Sequence, residues 1–211
     1  MMGETKSTRQ TYHHDNLKEA LIETGIDYVN ENGYNELSLR KLASMCGVSH
    51  AAVYKHFSNK EDLFAAMKEH VKEAFSNQLE IATRKEQMNE EQQEVIYELA
   101  NAYIEFFIEH PKYFSFVYTV EDIEIDFDDP EISSNYRPFE IFRDIANQFL
   151  DLLKVEKDQR VQIIVGMWAV VHGITEIAIM PGTKYTGDWK KMTRAILESN
   201  FYIDGQDSLL K

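Results

Sequence analysis

The sequence predicts an all-α protein of about nine helices. Hydrophobic residues recur at helical spacing over long stretches, whereas few segments alternate apolar and polar residues as strands do. The 211 residues include four prolines and nine glycines, so the residues that interrupt helices are scarce. Hydrophobic residues make up 44% of the chain, which indicates a packed core rather than a disordered polymer. No strand is needed to account for this pattern.

The segment from Ser38 to Phe57 predicts two short helices joined by a tight turn. Ser38 can cap the first helix through its hydroxyl, and Ser49 can cap the second. Three apolar residues form the inward face of the first helix: Leu39, Leu42 and Cys46. Gly47 can end that helix in a left-handed conformation without a steric penalty, and Val53 with Phe57 gives the second helix its buried stripe. This order of caps and turn is typical of a helix-turn-helix motif.

The second helix also has an outward face of mixed chemistry, formed by His50, Ala51, Tyr54 and Lys55. Hydrogen-bond donors, an aromatic ring and a methyl group suit the floor and walls of a DNA major groove. We therefore predict that this helix is the recognition helix of a three-helix DNA-binding domain. Three neighbours could contact the DNA backbone: Ser38, Arg40 and His56. Capping alone would also explain Ser38, and a hydrogen bond within the fold would explain His56.

A longer helix is predicted from about residue 59 to 82, beginning at a capping box of Ser58 and Glu61. Lys60 lies in its first turn, where the helix dipole disfavours a cation unless a phosphate approaches. We expect this helix to link the DNA-binding domain to the rest of the chain.

The net charge of −14 is distributed unevenly. Residues 1–60 carry seven basic and seven acidic side chains, so the whole acidic excess lies after residue 60. A neutral N-terminal unit with a basic face can bind DNA in one orientation, with modest and salt-sensitive nonspecific affinity.

Further helices complete the predicted fold. The first helix of the chain should cover about residues 16–30, and five more should follow the charged connector at 83–92: about 94–110, 111–118, 136–153, 161–180, and from Asp188 onward. Residues 121–131 contain seven acidic residues and no basic one, which predicts a solvated loop. A calcium loop is not expected there, since the glycine turn and ligand spacing of an EF-hand are absent.

The most apolar segment, 161–180, is long enough to span a bilayer. Polar residues within it, His172 and Glu176 among them, would be costly in lipid, so we expect a buried helix and no membrane partner. Gly166 and Gly173 are seven residues apart, which suggests close approach of another helix. We expect this helix and the last one to form the interface of a homodimer.

The organisation expected from these elements has four parts: a flexible polar arm at 1–13, the helix-turn-helix domain at 14–60, a helical effector-binding and dimerisation domain at 61–203, and a tail at 204–211. The single cysteine, Cys46, excludes an internal disulfide, and residues 1–16 lack a secretory signal, so a cytoplasmic location is expected. No catalytic motif is present, and we expect no enzyme activity, resident metal or cofactor. His13 and His14 are adjacent but have no further ligands to complete a metal site.

The N-terminal segment resembles the TetR family of bacterial one-component transcriptional regulators over about residues 12–65. The motifs that carry the resemblance are NGY at 32–34, LSLRKLA at 37–43, GVS at 47–49 and VYKHFSNKEDL at 53–63. The later segment WAVVHG at 168–173 looks like the Trp-x-x-x-His-Gly signature of one branch of TetR C-terminal domains, and His110-Pro111 fits that branch too.

The resemblance implies a homodimer that holds a double-stranded DNA operator and is released when a small molecule enters the C-terminal domain. Repression is the usual mode of the family. Tyr54 and Lys60 correspond to phosphate-contacting positions, and His50, Ala51 and Lys55 to groove-facing positions. A second possibility is a DNA-binding adaptor that responds to a protein partner through its acidic body.

Candidate ligand-binding residues belong to the aromatic and polar positions of the later helices: Tyr103, Phe107, Phe116, Phe142, Trp168, His172 and Glu176. Such a wall would suit a small apolar or aromatic effector. His172 and Glu176 share a helix face four residues apart. They could form the polar end of a pocket, part of a metal site, or a satisfied pair in the core or interface. The aromatic residues could equally be core.

Overall fold

The computed structural model describes residues 17–84, 93–120, 122–129 and 132–200. These residues form nine α-helices: α1 Leu17–Asn32, α2 Leu39–Met45, α3 His50–Tyr54, α4 Lys60–Thr83, α5 Gln93–Glu109, α6 Pro111–Val120, α7 Arg137–Leu152, α8 Lys157–Ile179 and α9 Trp189–Asn200. The predicted all-α fold of about nine helices is confirmed. The predicted arm at 1–13, the tail at 204–211 and the pair His13-His14 lie outside the described residues.

The chain divides into two compact units, and the division falls between Lys68 and Glu69 inside α4. We call the described residues up to Lys68 the N-terminal unit and those from Glu69 the C-terminal unit. Because α4 is one continuous helix, it belongs to both units.

In the N-terminal unit, α2 and α3 are joined by a turn whose hydrogen bonds follow the predicted chemistry. Gly47 has a φ of +66°, its N–H donates to Ser44 O, and the Val48 N–H donates to Ala43 O at 3.0 Å. This pair of bonds closes a helix in the Schellman arrangement. Ser49 caps α3, since its hydroxyl accepts a hydrogen bond from the Ala52 N–H at 3.2 Å. The helix-turn-helix geometry is therefore built by the residues that predicted it.

The start of α4 corrects one prediction. Asn59, not Ser58, caps the helix: the Asn59 side-chain oxygen accepts from the Asp62 N–H at 2.7 Å. The Asp62 carboxylate in turn accepts from the Ser58 N–H at 2.9 Å. The predicted capping box of Ser58 and Glu61 is thus wrong by one residue, because asparagine is as good a cap as serine and an acid also lies three residues after it.

The C-terminal unit is built around α5 and α8, which pack against each other and against α7 and α9. Among the described residues, α8 is the one helix long and apolar enough to cross a membrane by length and composition. However, α8 packs against three helices of the same unit, and five of its apolar residues are buried: Ile163, Ile164, Met167, Val171 and Ile174. Burial in the core of this unit therefore also accounts for the apolar composition of α8.

A pair of two-residue antiparallel strands lies between α6 and α7, where only a loop was predicted. Ile125–Asp126 pairs with Ser133–Ser134, with Ile125 opposite Ser134. Strands this short contain no measurable alternation of apolar and polar residues, so periodicity could not detect them.

Candidate DNA-contacting face and ligand cavity

The outward face of α3 is open to solvent. Tyr54 is 59% exposed, and His50, Ala51 and Lys55 are also exposed, whereas Val53 on the opposite side is fully buried. Burial of Val53 against the rest of the N-terminal unit therefore fixes which side of α3 faces outward.

Two further candidate residues lie at the start of α2. Ser38 is exposed, and its hydroxyl oxygen accepts a hydrogen bond from the Lys41 N–H at 3.2 Å, so it caps the helix. A capping hydroxyl keeps its own proton available as a donor. Arg40 is exposed, and within the described part of the chain neither Arg40 nor Lys55 has an ion-pair partner. His56 is half-buried beside Phe57, with 6.4 Å between the ring centroids.

Lys60 has partners inside the N-terminal unit. Its ammonium group donates a hydrogen bond to Asn35 O at 3.2 Å and lies 3.9 Å from the centroid of the Tyr34 ring. Burial, together with the neighbouring Glu61 carboxylate, raises the pKa of Tyr34, so this ring stays neutral. The contacts with Tyr34 and Asn35 offset the unfavourable position of a cation in the first turn of a helix. A phosphate is therefore not needed to explain Lys60.

Lys41 is held in a similar way, which the sequence did not reveal. Its ammonium group donates to the Tyr28 hydroxyl and lies 4.5 Å from the centroid of the Tyr28 ring. Tyr28 and Lys41 are thirteen residues apart on different helices, so no local spacing indicates the contact.

The C-terminal unit contains an apolar cavity of about 30 Å³, between α4, α5, α7, α8 and α9. The residues that line it are Leu79, Ile96, Tyr97, Leu99, Ala100, Tyr103, Phe142, Phe149, Met167, Trp168, Val171 and Leu197. A volume of this size holds one or two water molecules. An organic ligand would therefore have to widen the cavity as it entered.

Three of the seven predicted ligand-binding residues line this cavity: Tyr103, Phe142 and Trp168. Phe107 and Phe116 do not; both are fully buried in the aromatic core of the unit. Glu176 is exposed to solvent and does not line the cavity either. Helical periodicity identified the inward side of each helix, but it could not tell which inward side chains border a void.

His172 lies beside the cavity in a partly buried chain of hydrogen bonds. The Tyr103 hydroxyl is 3.0 Å from His172 Nδ1 and 2.7 Å from the Tyr118 hydroxyl. Burial lowers the pKa of His172, with Glu176 acting in the opposite direction, so the imidazole is neutral at pH 7. Burial also raises the pKa of Tyr103 and of Tyr118, which keeps both phenols protonated. We call these three residues the tyrosine–histidine relay; Tyr118 was not among the predicted residues.

The possibility that His172 and Glu176 belong to a metal site gains no support from the described residues. Among them, no group of three or more His, Cys, Asp or Glu side chains is arranged to hold a metal ion. A pair of ligands alone does not make a stable site.

The Tyr97 side of the cavity is bordered by an ion-pair cluster between α5 and α9. The Arg194 guanidinium lies 4.4 Å from the centroid of the Tyr97 ring. It donates to both carboxylate oxygens of Glu94, at 2.7 and 2.8 Å, and to Glu198 at 2.7 Å. Burial raises the pKa of Tyr97, and Glu198 and Glu94 raise it further while Arg194 lowers it. The cation at this edge is thus matched by two carboxylates.

The fold and these sites define a class of protein: a regulator with a helix-turn-helix unit and a separate helical unit that contains an apolar cavity. Comparison with known families gives the same result from sequence. Residues 21–67 match the family described as "Bacterial regulatory proteins, tetR family", and residues 96–199 match the family described as "Tetracyclin repressor-like, C-terminal domain". The chain belongs to the TetR family of transcriptional regulators.

Individual relatives match over shorter stretches. The chain is 32% identical to the fatty acid metabolism regulator protein of Bacillus subtilis (strain 168) over 47 residues, which is 22% of this chain and 24% of the relative. It is 40% identical to the tetracycline repressor protein class C of Escherichia coli over 52 residues, 25% of this chain and 24% of the relative. The chain thus matches these curated relatives over about a quarter of their length.

Similarity of fold extends much further along the chain. A TetR family transcriptional regulator from Thermus thermophilus superimposes with a TM-score of 0.61 over 89% of this chain and 99% of its own, at 17% sequence identity. At this level of identity the likeness concerns the fold alone. Members of the TetR family bind DNA operators, act as dimers with small-molecule ligands, and are not enzymes.

Proposed function

We propose that this regulator is a ligand-released repressor, which binds a palindromic operator as a dimer and leaves it when a small apolar or aromatic molecule occupies the C-terminal cavity. The observation that carries this proposal is the apolar cavity in a unit that shares α4 with the helix-turn-helix unit. A ligand that widened the cavity would favour a different packing of the surrounding helices, and it could shift the protein between two states only by that difference in affinity.

The outward face of α3 is assigned to the major groove, with His50, Ala51 and Lys55 facing the bases and Tyr54 facing the backbone. Their common exposure supports this assignment. We expect Tyr54→Ala to weaken binding with little change in sequence preference, and Lys55→Ala to change the preference as well. Binding of both variants to the DNA that flanks the gene, measured by fluorescence anisotropy, tests this. An unchanged affinity for both variants would contradict the assignment.

Backbone contacts are assigned to Ser38, Arg40, His56 and Lys60. Lys60 already donates one hydrogen bond to Asn35, so a phosphate would use its two other N–H groups. Loss of one phosphate contact lowers the slope of log affinity against log salt by about 0.9. The Lys60→Ala variant should show that loss, whereas an unchanged slope would leave Lys60 with the structural role that Tyr34 and Asn35 give it.

A dimer interface is assigned to the exposed face of α8 together with α9. Val165, Ala169 and Ile177 are exposed on α8 at helical spacing, and Val165 and Ile177 are apolar with 40% and 50% exposure. A Cβ atom added to Gly173 would meet nothing within 4 Å in the chain itself. The Gly173→Ala change should therefore stabilise a lone helix by about 1 kcal/mol but weaken a dimer that packs on this glycine.

Analytical ultracentrifugation tests this interface. The wild-type protein should sediment as a dimer of its 24.6 kDa chain at micromolar concentration. Ala169→Glu, which adds a charge to the proposed interface, should dissociate it, while the same change at the exposed Ala195 of α9 probes how far the interface extends. A wild-type monomer would refute the assignment.

A route from the cavity to α4 is available within the C-terminal unit. The helix α6 carries Tyr118, which belongs to the tyrosine–histidine relay beside the cavity, and Tyr113, whose hydroxyl is 3.3 Å from His70 Nε2 on α4. A shift of α6 would therefore change the contact between Tyr113 and His70 of α4. We assign the coupling between ligand and DNA to these contacts.

The effector is assigned to small apolar or aromatic compounds because the cavity lining is almost entirely hydrocarbon and aromatic. One relative is named for fatty acid metabolism, and acyl chains belong to this chemical range. Small hydrophobic compounds added to the protein–DNA complex should weaken binding. No effect of any such compound would favour the adaptor that responds to a protein partner.

A further inference from the structure

The cavity lining contains no charged side chain among the described residues. Its polar side-chain atoms belong to neutral groups: the hydroxyls of Tyr97 and Tyr103 and the indole N–H of Trp168. An ionised group moved into such surroundings loses its hydration and gains no counter-ion, which is far more costly than moving the neutral form.

The relay cannot replace a counter-ion. Tyr103 lies between the Tyr118 hydroxyl and His172 Nδ1, and all three groups in this chain of hydrogen bonds are uncharged when the imidazole is neutral. His172 is neutral at pH 7 because burial lowers its pKa. The relay therefore offers no net positive charge to an incoming carboxylate.

The cation beside the lining is also unavailable. Arg194 lies against the Tyr97 ring, but Glu94 and Glu198 already bind its guanidinium group. Two carboxylates facing one guanidinium leave this edge of the cavity with a negative balance, which opposes the approach of an anion.

We infer that the cavity selects uncharged ligands, such as esters, alcohols and neutral aromatic compounds, and that carboxylic acids enter it only in their protonated form. This inference rests on the proposed function of the cavity as the effector site. The indole N–H of Trp168 can donate a hydrogen bond to the neutral oxygen of such a ligand. The site can therefore satisfy one polar group, but it cannot neutralise a charge.

A matched pair of ligands with the same carbon chain tests the inference: methyl octanoate and octanoate. With a carboxyl pKa of about 4.3, only about one octanoate molecule in 500 is protonated at pH 7. The ester should therefore bind about 500-fold more tightly than the acid at pH 7, about 50-fold at pH 6 and about sixfold at pH 5. If both ligands bind as neutral molecules, a change in the charge of the protein affects them alike, so the ester is the control for the charged and titratable groups around the cavity: His172, Glu176, Glu94, Glu198 and Arg194.

Trp168 can report binding directly. The chain has two tryptophans, so the Trp189→Phe variant leaves Trp168 as the single tryptophan, in the wall of the cavity. The fluorescence titration gives the affinity of each ligand, and calorimetry on the wild-type protein gives the same ratio without a substitution. Octylamine, which is protonated throughout this pH range, should bind weakly at all three pH values.

A ratio near one that does not change with pH would overturn the inference, because the charged group would then lie in solvent or against a cation. Tight binding of octylamine, or binding of neither octanoate nor its ester, would overturn it as well. If the ester binds at Trp168 with the expected ratio but leaves the DNA complex intact, the ligand selectivity stands and the ligand-released mechanism is wrong.

Discussion

The relay contains two hydroxyl groups, on Tyr103 and Tyr118. Removing the Tyr103 hydroxyl, by replacement with phenylalanine, should destabilise the C-terminal unit more than removing the Tyr118 hydroxyl. The ring remains, so packing against Trp168 is retained, and only the hydroxyl between Tyr118 and His172 is lost. That hydroxyl makes two hydrogen bonds, at 2.7 and 3.0 Å, in a side chain that is 4% exposed. At about 1 kcal/mol for each, the variant should lose about 2 kcal/mol.

The matched control is Tyr118→Phe, which removes one of the two bonds and leaves Tyr103 paired with His172. It should cost about 1 kcal/mol. For a chain of this length, these losses correspond to decreases in Tm of about 4–8 °C and about 2–4 °C. Urea denaturation at one fixed protein concentration measures both, since dimerisation makes the apparent stability depend on concentration. If Tyr103→Phe lowers the stability no more than Tyr118→Phe does, the Tyr103 hydroxyl does not hydrogen-bond to both Tyr118 and His172.

Three further predictions concern caps, turns and pH. Gly47→Ala should destabilise the N-terminal unit by about 1–2 kcal/mol, because the φ of +66° is costly for a residue with a Cβ atom; thermal denaturation should show it. Asn59→Ala should lower the free energy of unfolding by about 1 kcal/mol, whereas Ser58→Ala should leave it nearly unchanged. The reverse order would show that Ser58 caps α4. His172 has a lowered pKa in the folded protein, so its contribution to stability is present above about pH 6.5 and is lost as the pH falls through the folded-state pKa. His172→Gln should remove that part of the acid sensitivity in denaturation curves measured from pH 7.5 to 5.

The helix-turn-helix was predictable because each of its turns is set by local chemistry. Ser49 caps α3 and Gly47 ends the turn, and both act through hydrogen bonds to residues within five positions. Where two neighbouring residues could cap a helix equally well, the sequence alone does not show which of them does so. At α4, Ser58 and Asn59 are adjacent potential caps, and the pairing of Asn59 with Asp62 decided between them.

The environment of Lys60 and the lining of the cavity could not be predicted, because both depend on contacts between distant parts of the chain. Lys60 lies on Tyr34, 26 positions earlier, and this contact accounts for a cation in the first turn of α4 without a bound phosphate. Periodicity marked Phe116 and Phe142 alike as inward-facing. Only the three-dimensional arrangement distinguishes the cavity wall at Phe142 from the packed core at Phe116.

If a ligand in the cavity releases the protein from DNA, a side chain that fills the cavity should prevent that release. Ala100 lines the cavity and is 6% exposed, so Ala100→Leu should occupy the space that a ligand needs, and Ala100→Val provides a smaller substitution if leucine impairs folding. The measurement is the operator Kd by fluorescence anisotropy, with and without methyl octanoate. We expect the ligand to raise the Kd of the wild-type protein by at least about tenfold, within the usual range of allosteric coupling, and to leave the Kd of the Ala100→Leu variant unchanged. Equal release of both proteins would contradict this expectation.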